Sequence, residues 1–153
     1  MEADLLQAAF SKVKAIADNL HLPCYWPNVA LPTPPANVHL RASVISTRPR
    51  VIGTCGKARS RWSLQIAVWV RDGVGVITPA NTGDAIAAGL PLGLVIAGAS
   101  RTHTITGLYS WLWRERTGAS RTYTITEPAE PVAPVRADGW YATPYLFALE
   151  HID

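Results

Sequence analysis

Only two cysteines, Cys24 and Cys55, occur in this chain, with no Cys-x-x-Cys pair and no histidine at ligand spacing. Neither a disulfide framework nor a zinc site is indicated, and both thiols are expected to stay reduced. Long hydrophobic runs are also missing. None approaches the roughly 20 residues of a membrane-spanning helix, and the opening MEADLLQAAF lacks a basic segment, so a soluble protein of a cytosol-like compartment, with no membrane partner, is expected. Charge of one sign is absent over a long interval. No Asp or Glu lies between Asp18 and Asp72, where Arg41, Arg48, Arg50, Lys57, Arg59, Arg61 and Arg71 all fall.

Catalytic patterns are absent too. GTCGKA at 53–58 has two residues between its glycines where a phosphate-binding loop needs four, and Ala58 replaces the required Ser or Thr. His21, His39, His103 and His151 form no HExxH or comparable pair, and no GxSxG elbow is present. Glu127 and Glu130 sit together in a proline-rich stretch unsuited to holding a general acid/base pair. No enzyme, cofactor or metal is expected.

What is present suits one domain over 1–153. An apolar content of 48% is enough for a real core. The basic middle contrasts with the end of the chain, where Glu127, Glu130, Asp138, Glu150 and Asp153 stand against Arg136 alone. Opposed patches of this kind serve either nucleic-acid binding or self-association.

Residues 2–20 place Leu5, Ala9, Val13, Ile16, Ala17 and Leu20 on one helical stripe, with Glu2 and Asp4 where the helix dipole favours them. Pro23 ends that helix, and Pro27, Pro32, Pro34 and Pro35 hold the next stretch extended. VHLRASVIS, 38–46, and WSLQIAVWV, 62–70, alternate as half-buried strands, whereas 48–61, with its glycines and charges, reads as a mobile loop. Thr78 is placed to cap a second helix with Pro79 at its first position, running to about Leu90 and weakened by Gly83 and Gly89. SRTHTIT at 100–106 and SRTYTIT at 120–126 suit the arms of a long hairpin. Pro128, Pro131 and Pro134 form a second stiff linker, and a last strand carries Tyr141, Tyr145, Phe147 and Leu149, with Pro144 expected at a sheet edge or bulge. Trp62 and Trp140 are assigned to the core. Trp111 and Trp113, beside Arg114 and Arg116 at the hairpin tip, are candidates for a contact surface.

The order of these features resembles the tail terminator proteins of long-tailed bacteriophages. The likeness rests on the N-terminal helix, WPNVALPTPPANVHLRASV, the Gly-containing loop, WSLQIAVWVRDGVG, GDAIAAGL and DGWYATPYLFAL, and covers most of 2–97 and 138–149. The region 98–137 departs from the pattern as a hairpin insertion with its proline-rich linker. The resemblance implies a single α+β domain, a mixed, largely antiparallel sheet with two helices packed on one face and a β-hairpin extension. It implies a virion protein forming a ring of six at the head-proximal end of the tail, assembled in the host cytoplasm. Such a ring would cap the major tail tube protein, stop its polymerisation and meet the head–tail connector or stopper protein.

Three contact regions are expected on that basis. Trp26, Pro27, Asn28, Pro32, Pro34 and Pro35, within an arm spanning 26–37, would lie against a neighbouring subunit, since prolines lessen the entropy lost on docking. Arg48, Arg50, Lys57, Arg59 and Arg61 would make an axial or lateral protein contact, away from a channel through which DNA passes without specific binding. Trp111, Trp113, Arg114 and Arg116 would make the third. Two alternatives stand beside the terminator: another connector or tail-tube component, and a basic nucleic-acid-binding module using Arg48 to Arg61 with Trp111 and Trp113.

Overall fold

Helix α1 (Ala3–Asn19) forms where the apolar stripe predicts it, burying Ala9, Val13, Ile16 and Ala17. It is the first element of a computed structural model that describes residues 3–46, 50–52, 57–96, 123–125, 130–131 and 133–152. Next come β1 (Cys24–Tyr25), β2 (Val38–Ser46), β3 (Arg50–Ile52), β4 (Lys57–Arg71) and α2 (Ile77–Gly89). After these run β5 (Val95–Ile96), β6 (Tyr123–Ile125), β7 (Glu130–Pro131), β8 (Val135–Ala137) and β9 (Trp140–Ile152). The nine strands make one sheet, ordered β1-β2-β4-β9-β6-β5, with β3 added on β4 and with β7 and β8 on β9. Among the described residues only the β1–β2 pair is parallel, so the sheet is mixed and the protein is a single α+β domain, as expected.

The alternation in β2, β4 and β9 fixes the two faces of the sheet. Leu40, Val68, Ile66, Leu64 and Phe147 are fully buried on one face, together with Val13 of α1 and Ile86 of α2. Both helices therefore cover the same face. Gly83 and Gly89, which weaken α2 by propensity, are explained by close packing. A Cβ on Gly83 would run into the Tyr145 ring, and one on Gly89 would come within 2.8 Å of Ile16 Cδ1.

Four expectations need correcting. The segment 48–61 is no loop over its described residues: Arg50–Ile52 pairs with Lys57–Arg59, so β4 begins five residues before Trp62. The reason is that β4 has partners on both sides. Arg59 faces Arg50 on one side and Ile152 on the other, and this backbone ladder outweighs the polar composition. Helix α2 starts at Ile77 with no side-chain cap, so Thr78 is not its cap. Pro79 falls within the first turn, where a missing N–H costs nothing, and Thr82 Oγ1 donates to the Thr78 carbonyl instead.

The second proline stretch is not merely a linker, since β7 and β8 both pair with β9. Pro144 is not at a sheet edge, because β9 is interior, and of the two expected settings it is the bulge that is met, in the partner strand. Its missing N–H is tolerated because its outer neighbour is interrupted there. Four steps from Pro131 to Val135 match three from Tyr145 to Ala142, a bulge-like offset opposite the proline. Trp140 lies on the face away from the helices rather than in their core, stacking edge-on with His39. The first SRTxTIT copy lies outside the described residues, and the second contributes β6.

Candidate functional site

The arm that follows β1 is fastened at both ends and exposed between. At its start the Trp26 ring lies 4.9 Å from Phe10 of α1. At its end both backbone groups of Ala36 are held: its N–H donates to Tyr25 Oη at 3.4 Å, and its carbonyl accepts from His39 Nδ1 at 2.8 Å. Pro27, Asn28, Pro32 and Pro34 are exposed between these anchors and Pro35 is half-buried. Asn28 takes a left-handed backbone, φ 59°, a conformation Asn tolerates better than most residues.

The anchor at Ala36 belongs to a second packed layer on the face without helices. His39 is fully buried there. Its ring lies 4.9 Å from Tyr25, 6.2 Å from Trp69 in a stacked arrangement and 5.0 Å from Trp140 edge-on. Two guanidiniums cover the aromatics, Arg41 at 4.0 Å over Trp69 and Arg71 at 4.8 Å over Trp140. The partners fix the imidazole's protonation. A carbonyl only accepts, so Nδ1 carries the proton toward Ala36; Arg41 only donates, so Nε2, 3.3 Å from Arg41 Nε, is bare. His39 is thus neutral. Burial pushes its pKa below the ordinary value, the Ala36 hydrogen bond opposes that shift, and the Arg41 charge reinforces it. Burial likewise lowers Arg41 and pushes the Cys24 thiol up to about 12, leaving an unreactive protonated sulfur.

Of the expected contact residues, Arg50 lies on β3 and Lys57, Arg59 and Arg61 on β4, close together at one end of the long β4–β9 pair; Arg61 is exposed and directly opposite Glu150. Arg48 lies outside the described residues, as do Trp111, Trp113, Arg114 and Arg116. The structure does not bring the basic strand residues to the proline arm, which leaves from β1. Among the described residues no cluster of His, Cys, Asp and Glu could hold a metal ion, and no helix is long and apolar enough to cross a membrane.

A family profile for phage tail terminator proteins matches residues 3–145. The chain belongs to the phage tail terminator family. Its role is accordingly structural, as a component of the phage tail. A solved structure whose name carries no functional term has the same fold, with a TM-score of 0.65 over 100% of this chain and 96% of that one at 20% identity. No curated protein sequence matches.

Two features of this terminator escape sequence reasoning. The first is the aromatic and guanidinium layer. Its signal was present, since alternation puts His39 and Arg41 on the same face as Trp69 and Arg71 of the neighbouring strand. The second is the turn after β4, where Val76 and Ile77 are 65% and 73% exposed beside a cleft of about 260 Å³. Nothing in DGVGVI distinguishes exposed valines from buried ones.

Proposed function

We propose that this terminator assembles into a ring of six that sits on the last ring of tail-tube protein, halts its polymerisation and presents its other face to the head connector. The family match over residues 3–145 carries this proposal. The exposed, uncharged proline arm supports it, because a closed ring needs stiff segments whose rotation returns to the start. Arg50, Lys57, Arg59 and Arg61 would lie at a protein contact rather than in the lumen, where repeated cations would hold the passing DNA at low salt. The mass of the purified protein under native conditions tests the ring, with six copies expected. Microscopy of particles made without this protein tests the cap, overlong headless tubes being the expected phenotype and normal tails the outcome that removes it.

A nucleic-acid-binding reading draws on one observation, the four basic residues gathered on β3 and the start of β4. Titration with duplex DNA across a salt series separates the two. Weak binding supports the ring, and tight binding with a steep salt slope supports the alternative.

A further inference from the structure

Six of the seven large apolar side chains exposed among the described residues fall in two places. Val29 and Leu31, 59% and 38% exposed, lie on the proline arm. Val74, Val76, Ile77 and Val135 gather where the end of β4 meets the start of β9 and its neighbour β8. Of this second group Val76 lines a cleft of about 260 Å³, with Val74 and Ile77 beside its lining in the chain; the other apolar walls are Val70 and Tyr141, whereas Val135, paired with Ala142, lies on the opposite face of the sheet. The backbone of Gly73 and Gly75, both at positive φ, bends the chain around it. Its rim carries Arg71 and the exposed pair Arg136 and Asp72, 3.6 Å apart.

We propose that the arm of one copy, at Val29 to Leu31, enters this cleft on the next copy. The inference rests on the ring reading and names the contact that would build the ring. The cleft falls below the roughly 300–1,000 Å³ usual for small-molecule sites and suits a few side chains instead. The arm is suited to entering it. No Lys, Arg, Asp or Glu lies between Asp18 and Arg41, so no charge would be carried onto the apolar walls. Pro27, Pro32, Pro34 and Pro35 have no N–H, which leaves the arm rich in carbonyl acceptors, while Arg71 and Arg136 at the rim only donate. No arm residue lines the cleft within one copy. The arm runs from β1 back to β2, where the Asn37 carbonyl accepts from the Arg71 N–H at 3.0 Å, while its exposed Val29 and Leu31 lie outside the cleft, which opens beside β9 and β8. Two different patches joined in this way give a head-to-tail contact, the kind that closes into rings.

Complementing variants test the contact. Val29→Asp with Leu31→Asp disables the arm, and Val76→Asp disables the cleft; all three residues are exposed, and circular dichroism and melting check that each variant folds. Each variant alone should lose ring mass, its subunit dissociation constant rising roughly ten- to hundredfold. Mixed in equal amounts they should form one-to-one dimers, because the arm variant keeps a sound cleft and the cleft variant a sound arm. Intact rings in either variant, or a mixture that stays single, overturns the contact while leaving the wild-type ring standing. Intact rings that no longer bind tail tubes would assign the cleft to the tube protein and equally overturn it. A wild-type protein that stays single at every concentration removes the ring reading, and this contact with it.

Discussion

The imidazole of His39 accepts a hydrogen bond from Arg41, two residues further along β2, and its opposite nitrogen holds the carbonyl of Ala36 at the end of the proline arm. One buried neutral ring thus connects a half-buried guanidinium to the anchoring of the arm. In the unfolded chain the same histidine titrates near 6.5, whereas in the fold its pKa is lower. Below about 6.5 the unfolded state takes up a proton that the folded state does not, so this contribution is complete above that pH and declines as pH falls. Urea midpoints measured from pH 8 to pH 5 should drop in the wild type and drop less in His39→Asn. At pH 8 the same variant, which leaves Arg41 Nε without its acceptor, should cost about 1–3 kcal/mol. Parallel pH profiles for the two proteins would refute the assignment.

Gly83→Ala sets helix propensity against packing. Alanine gains about 1 kcal/mol in a helix interior, but its methyl group meets the Tyr145 ring, and overpacking costs about 1–3 kcal/mol. Net destabilisation is expected in thermal melts. Adding Tyr145→Leu should recover part of the loss, and a stabilised single variant would contradict the close approach of α2 to β9.

Stiffness of the arm has its own test. Replacing Pro32, Pro34 and Pro35 with glycine restores freedom to the undocked arm at about 0.4–1 kcal/mol per proline, so the ring should dissociate at higher protein concentration. Hexamers of unchanged stability, measured by mass photometry on dilution, would show that these prolines only shape a surface crossing.

The Cys24 thiol should react slowly with a thiol reagent in the folded protein at pH 8 and quickly after denaturation, since burial pushes its pKa up to about 12 and the thiolate is the reacting form. Equal rates in the two states would contradict that burial. A variant carrying Cys55→Ser isolates the measurement.

The main strands and the first helix were legible because their periods are written in the side chains. Val38 to Ser46 alternates and is a strand over that same span, and the stripe from Ala9 to Ala17 is the buried face of α1. The basic segment reads as a loop in the sequence for a physical reason. Arg50, Lys57 and Arg59 look like loop residues one by one, yet β4 is paired on both flanks, and neither flank is visible from local composition. Short strands such as β1, β7 and β8 carry too few residues to show a period, and each exists through its longer partner.

The candidate surfaces divide along the same line. By itself the sequence determined the uncharged proline arm and the separation of basic and acidic stretches, because stiffness and charge belong to residues before any fold forms. Only the tertiary structure decided that His39 is buried and neutral, that Ala36 is held by two side chains, and that Val76 and Tyr141 wall a cleft. Those properties arise where strands distant in the chain become neighbours, and burial, which sets both the protonation of His39 and the exposure of Val76, is a property of neighbours in space.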